Sequence, residues 1–311
     1  MTTAITAPLA LPDAGYARSF TARLDYEGDR LMTVVGTLGD HRLAIEYRWQ
    51  VRVPDYLIVA AEARHLEGDG DVLDPALAAR AGAIAGSQAS QGFTRAMREA
   101  LGTGRGVREH LALAIDMARA SLQGFPVPPG DHERFASQAA GIDNPSSRLA
   151  RMAWERDRAD WGNVCNTCFA YRDESAPLFA EREVRCFDLD LVSPEPGQAG
   201  FFSRRKELAV TVRADGSGYD LAHAMRDSFH DLDVALGLGH DGTVLEAGNG
   251  WRRLAFMGIC EGGQHGLPTL RGQRLDGAYA RAVADHVGGR NGCSHLFDLT
   301  VDCLRFFDWA A

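Results

Sequence analysis

The stretch RLAIEYRWQVRV, residues 42–53, carries the clearest folding signal in the chain. Apolar and polar residues alternate along it, and this period of two is typical of a half-buried antiparallel strand. Pro54 and Asp55 then turn the chain into a second apolar run, YLIVAAEA at 56–63, which predicts a neighbouring strand. The predicted buried face consists of Leu43, Ile45, Tyr47, Trp49, Val51 and Val53.

A similar pattern returns in the second half as FHDLDVALGLGHDGTVLEA, residues 229–247, with Asp241-Gly242 as a hairpin signal. The helical stretches that follow each strand region also match, and Gly106 corresponds to Gly292 without a gap. We therefore predict an α+β fold with two duplicated units, each an antiparallel sheet of about four strands followed by helices. Chance similarity between two amphipathic stretches is the alternative interpretation.

The same comparison predicts how the chain is divided. A loose arm is expected at 1–17, the first unit at 18–122 and the second unit at 204–311. Residues 123–203 match neither unit and are expected to form a linker and a mixed insert. An insert of this length commonly packs over a site, so we expect it to act as a lid or site wall.

Composition excludes several classes of protein. The formal net charge is −9, which argues against a nucleic-acid partner, and no apolar run reaches the length of a membrane span. The first residues lack the basic segment of a signal peptide, so we expect a cytoplasmic protein. Its six cysteines are then expected to be reduced thiols.

A histidine breaks the predicted buried face in the second half. Leu43 of the first unit corresponds to His230, and Val53 corresponds to His240. A buried, unpaired imidazole costs about 1–3 kcal/mol, so such a residue needs a partner or a chemical role. We interpret His230 as a candidate general base. A core histidine bonded to a backbone carbonyl is the alternative, and it suits His240 better because that residue adjoins the turn.

A second candidate group lies in GRNGCSHLFDLTVD, residues 289–302, where Cys293 and His295 open the predicted last helix. The positive end of a helix lowers the pKa of a nearby thiol, which is the expectation for Cys293. A buried cysteine with a capping histidine is the alternative. A Cys/His nucleophile pair two residues apart on one helix would be badly oriented and is not favoured.

The third candidate group is DWGNVCNTCFAYRDE, residues 160–174, within the insert. Its aromatic and orientable polar residues suit a small-molecule pocket, although a polar loop has the same composition. The candidates are Trp161, Asn166, Tyr171 and Arg172.

A structural zinc site is a further hypothesis, with Cys165, Cys168 and Cys186 as ligands. No fourth ligand follows Cys186 at a suitable spacing. The sequence contains no phosphate loop or dinucleotide fingerprint, and we expect neither a metal nor another cofactor.

The end of the chain resembles a bacterial family of unknown function whose members carry an Arg and then Gly-Cys-Ser/Thr-His-Leu at the start of a terminal helix. The resemblance covers about 204–307. The matching residues are Arg290, Gly292, Cys293, Ser294, His295 and Leu296, together with His230, Asp231, Trp251, Arg252 and Arg253 in the preceding strands.

The two-unit form with its Cys/Tyr-containing insert also resembles bacterial enzymes that release formaldehyde from lignin-derived aromatic dimers. This resemblance implies a lyase. Release of formaldehyde needs a base and a partner for the substrate phenolate, and it needs no metal or redox cofactor; we assign His230 as the base and Tyr171 or Arg172 as the phenolate partner. Trp161, Asn166, Cys293 and His295 would then contact the substrate. A zinc-stabilised protein and a non-catalytic small-molecule binder, the latter a homodimer through exposed sheet edges, are the alternatives.

Overall fold

The computed structural model describes residues 5–8, 15–90, 92–124, 126, 133–134, 137–138, 145–160, 164–186 and 194–309. The chain forms two compact units. The N-terminal unit comprises Ala17–His132 and Asp188–Lys206. The C-terminal unit comprises Met1–Tyr16, Glu133–Phe187 and Glu207–Ala311. Residues 133–187 of the predicted insert thus group with the C-terminal unit, and the following residues to 203 group with the N-terminal unit.

Antiparallel strands and helices make up both units, so the predicted α+β class is confirmed. The strands are β1 Ile5–Pro8, β2 Tyr16–Gly28, β3 Leu31–Asp40, β4 Ala44–Arg52, β5 Leu57–Glu67, β6 Arg185–Cys186, β7 Gln198–Val212, β8 Gly218–Asp227, β9 Asp231–Gly239, β10 Val244–Arg253, β11 Phe256–Met257 and β12 Phe307–Trp309. The helices are α1 Ala76–Gly82, α2 Phe93–Leu101, α3 Val107–Gln123, α4 Pro145–Asp160, α5 Leu178–Glu181, α6 Tyr279–His286 and α7 Ser294–Asp302.

In the N-terminal unit, β2, β3, β4 and β5 form an antiparallel meander. The alternation at 42–53 is confirmed, because Ile45, Tyr47, Trp49 and Val51 are buried. Helix α3 packs on β3 and β4, and α1 packs on β5. Gly36 allows the close approach of α3, since a Cβ there would lie 2.5 Å from the Met117 side chain.

In the C-terminal unit, β8, β9 and β10 are antiparallel neighbours, and α7 packs against β8 and β9. The prediction that His240 lies on the buried face is wrong. Strand β9 ends at Gly239, so His240 falls in the turn, where its side chain is exposed. His230, by contrast, is only 3% exposed, and its predicted burial is confirmed.

In the C-terminal unit, described residues of 145–160 and 164–186 form an apolar cluster with Phe256 and Ile259. Trp154, Phe179 and Phe256 pack together there, and the Trp154 indole donates to the Ala170 carbonyl over 2.7 Å. Helix α4 thereby fixes the loop that follows it. Common descent of the two units remains a prediction. Within the described residues, no helix is long and apolar enough to cross a membrane.

Candidate functional site

His230 is held by Asp227 in the short connection between β8 and β9. The Asp227 Oδ1 accepts the backbone N–H groups of Phe229 and His230 at 2.8 and 2.7 Å, a turn that aspartate commonly forms. The same oxygen lies 3.1 Å from His230 Nδ1, and the carboxylate is fully buried. An ionised carboxylate only accepts hydrogen bonds, so Nδ1 is the nitrogen that donates to Asp227, and the neutral form of this imidazole has its lone pair on Nε2.

His295 forms the other half of an imidazole pair. It lies in the first turn of α7, and its ring centroid is 3.8 Å from that of His230, with the planes inclined by 34°. Cys293 is the N-cap residue of this helix, and its sulfur accepts the Leu296 N–H over 3.4 Å. The start of α7 therefore places a thiol and an imidazole beside His230.

These residues line a cavity in the C-terminal unit. The cavity itself measures about 50 Å³, and the empty space is about 430 Å³ when the part open to solvent is included. An apolar cavity of about 150 Å³ binds benzene, and small-molecule pockets span about 300–1,000 Å³. The cavity of about 50 Å³ therefore has room for a small group and not for an aromatic ring. The lining residues are Cys168, Phe169, Ala170, Tyr171, His230, Leu254, Ala255, Phe256, Cys260, Gly292, Cys293, Ser294 and His295.

Tyr171 reaches the cavity from the loop after α4. Its hydroxyl donates to the Asp157 carboxylate, and its ring packs edge-on against Phe256 at 5.9 Å. Burial, and then the neighbouring Asp157, raise the pKa of Tyr171 well above 10. Tyr171 is therefore a hydroxyl group, and not a phenolate, over the pH range in which the protein would work.

Three thiols of the cavity wall are held in their neutral form. Burial raises the pKa of Cys168 to about 11, and it also raises the pKa of Cys260 and Cys293. The prediction that the helix end lowers the pKa of Cys293 is wrong, because loss of water around the thiol outweighs the hydrogen bond from Leu296. A Cys293 thiolate nucleophile is therefore disfavoured in this cavity.

These thiols are expected to alkylate slowly. At about pH 8 the higher pKa lowers the thiolate fraction of Cys168, so its reaction with iodoacetamide should be about 100-fold slower in the native protein than in the same chain unfolded in urea. Peptide mass spectrometry after timed labelling measures each rate, and Cys186 in β6, outside the cavity wall, gives an internal comparison. Equal rates for Cys168 with and without urea would contradict the assignment.

The remaining predicted contacts lie elsewhere or outside the described residues. The Arg172 guanidinium stacks 3.7 Å over the Phe169 ring and donates to Asn291 Oδ1 over 3.0 Å. Asn166 is exposed and donates to Asp173 Oδ2 over 3.0 Å. Neither is among the described residues that line the cavity, and Trp161 lies outside the described residues. His230, Tyr171, Cys293 and His295 are the predicted residues that the structure brings together.

The cysteines of the alternative zinc site have separate surroundings. The Cys165 thiol lies 3.8 Å from the Arg158 carbonyl, Cys168 lines the cavity and Cys186 belongs to β6. In the part of the chain that the structure describes, no group of three His, Cys, Asp or Glu side chains could hold a metal ion.

A family model described as "Protein of unknown function (DUF2889)" matches residues 208–305. The match supports the predicted resemblance to an uncharacterised family. It includes His230, Cys293 and His295 and excludes Tyr171. No curated protein matches the chain, and no solved structure matches it.

Proposed function

We propose that the protein is a cofactor-independent lyase that releases formaldehyde from an aromatic small molecule bearing a hydroxymethyl group. The observation that supports this function is the cavity shared by two acid–base pairs, Asp227–His230 and Asp157–Tyr171. Positioned groups of this kind transfer protons without a metal or redox cofactor. The C-terminal unit holds both pairs.

The chemistry begins with a para-phenol whose benzylic carbon has lost its hydroxyl as water, which leaves a quinone methide. His230 Nε2 then takes the proton of the hydroxymethyl O–H. The carbon–carbon bond to that group breaks, its carbon leaves as formaldehyde, and the bonding pair forms a new C=C bond while the ring becomes a phenolate. The sum is loss of one water and one formaldehyde, with no electron passed to a cofactor.

The cavity of about 50 Å³ has room for the hydroxymethyl group of such a substrate. This group would lie beside His230, where exclusion of water favours proton transfer between fixed groups. The aromatic rings would lie outside the cavity, at its opening. Tyr171 is the proposed partner of the phenol oxygen, and Cys293 and His295 are proposed contacts. A homodimer and a cytoplasmic location remain predictions.

The test is incubation of the purified protein with a panel of lignin-derived aromatic dimers, with formaldehyde and ultraviolet absorbance followed together. The expected result is formaldehyde in equal amount to a new conjugated, stilbene-like product. Two matched substrates serve as controls, one with the phenol methylated and one without the hydroxymethyl group, and neither should react. If folded protein releases no formaldehyde from any member of the panel, the lyase function is contradicted. A non-catalytic binder is then the remaining alternative.

A further inference from the structure

The hydrogen bond between Asp157 and Tyr171 has a geometry suited to proton transfer. Asp157 is only 8% exposed on α4, and its carboxylate accepts the Tyr171 hydroxyl hydrogen. A tyrosine oxygen that donates its one hydrogen keeps the capacity to accept another. Tyr171 is among the residues that line the cavity, and a substrate hydroxyl that reaches the tyrosine oxygen would be able to donate to it.

We propose that Tyr171 and Asp157 form a two-step proton relay that ionises the phenol of the substrate and then holds it as a phenolate. This inference rests on the proposed function, because it assigns the phenol end of the same substrate. It defines the substrate class as aromatic compounds with a free phenol. Tyr171 would touch the substrate, and Asp157 would act through Tyr171 as a positioning residue and final proton acceptor.

The relay balances without a further reactant. The phenol O–H proton moves to Tyr171 Oη while the Tyr171 proton moves to an Asp157 oxygen. Tyr171 is then a hydroxyl again, and it donates to the new phenolate. One carboxylate has become a carboxylic acid and one phenol a phenolate, so the net charge of the cavity does not change.

Arg158 places a positive charge close to the loop that carries Tyr171. Arg158 donates to the Tyr171 carbonyl and pairs with Asp173, which places its guanidinium close to the loop. Cys168 and Cys260 are near Tyr171, but their raised pKa values keep them neutral. His230 and His295 face the same cavity.

The relay can be tested without turnover by binding 4-nitrophenol, whose phenolate absorbs visibly. In the wild-type protein the ratio of phenolate to phenol should be about tenfold higher for the bound ligand than for the free ligand at the same pH. This difference corresponds to a pKa that is lower by about one unit. Asp157→Asn keeps an oxygen that accepts the tyrosine hydroxyl but cannot take its proton, and Tyr171→Phe removes the link. Both variants should abolish the extra ionisation.

Glu155→Gln is the matched control, because it makes the same change at an exposed position two residues earlier on α4. It should behave as wild type. Binding of 4-nitroanisole, which has no ionisable proton, should change less than about threefold in any variant. This ligand separates loss of the relay from loss of the fold.

Failure of 4-nitrophenol to bind, or ionisation unaltered in Asp157→Asn, would overturn the relay. If formaldehyde is released although the relay is absent, the lyase function is supported and a group other than Tyr171 is the partner of the phenol. Enhanced ionisation without formaldehyde from any dimer would support the relay and remove the lyase.

Discussion

Replacement of His230 by alanine is expected to lower the rate of formaldehyde release by about 10²–10⁴-fold, the usual contribution of a positioned acid–base group. The loss should fall mainly on kcat, because the imidazole acts on the hydroxyl proton and contributes little to holding the rings. His240→Gln is the matched control, since His240 is exposed after the other end of β9. Rates are measured at saturating substrate by formaldehyde derivatisation.

Asp227→Asn tests how His230 is held. The amide oxygen can keep the bonds that Oδ1 makes to the Phe229 and His230 N–H groups, so the turn should persist. The negative charge that stabilises the imidazolium is lost, and we expect a smaller decrease in rate of about 10–100-fold.

Activity within tenfold of wild type in His230→Ala would show that another group is the base.

The sequence contains enough local information to predict the strands and the unusual histidine. The period of two at 42–53 determines which side chains of β4 face the core, and His230 is conspicuous because it breaks a similar pattern. His240 was misplaced because alternation alone does not show where a strand ends. The turn that ends β9 at Gly239 moves the next side chain to the surface.

The partners of the site residues depend on tertiary structure and could not be predicted in the same way. Asp227 has a weak local signal, the Asp-x-x-His spacing across a turn. For Asp157, nothing in the sequence of α4 distinguishes it from the exposed Glu155, because the choice depends on which helix face meets the Tyr171 loop. Cys293 is a similar case. The sequence predicts that it lies at the start of a helix, but it does not predict the burial that raises the pKa of its thiol.

The N-terminal unit is expected to lose stability in acid. His110 is fully buried there, with Nδ1 2.7 Å from the Tyr47 hydroxyl and Nε2 3.0 Å from His65 Nε2. Burial, then His65 and Arg80, lower the pKa of His110 to about 3. Burial also lowers the pKa of His65.

The sign of the pH dependence follows from these shifts. In the unfolded chain a histidine titrates near pH 6.5, so on acidification the unfolded state binds the proton before the folded state does. The stabilisation is therefore complete above about pH 6.5 and decreases as the pH falls toward 3. His110 contributes a slope of about 1.4 kcal/mol per pH unit between the two pKa values, with a limit of about 5 kcal/mol.

His110→Gln isolates this contribution. At about pH 7 the variant should be less stable than wild type by about 1–3 kcal/mol, because a buried hydrogen-bonding ring is lost. Its free energy of unfolding should then fall less steeply toward about pH 5, so that the two stabilities converge by about 2 kcal/mol over this interval. Urea-dependent hydrogen exchange of peptides from β4 reports on this unit, because β4 carries Tyr47 and Trp49, whose rings lie 6.1 Å apart.

The interval between about pH 7 and 5 separates histidine from carboxylate titration, because carboxylates in unfolded chains titrate near pH 4. Parallel curves for His110→Gln and wild type would mean that the folded protein takes up the proton as readily as the unfolded chain. The His65–His110 pair would then accept a charge in the core, and the neutral arrangement with Tyr47 would be wrong.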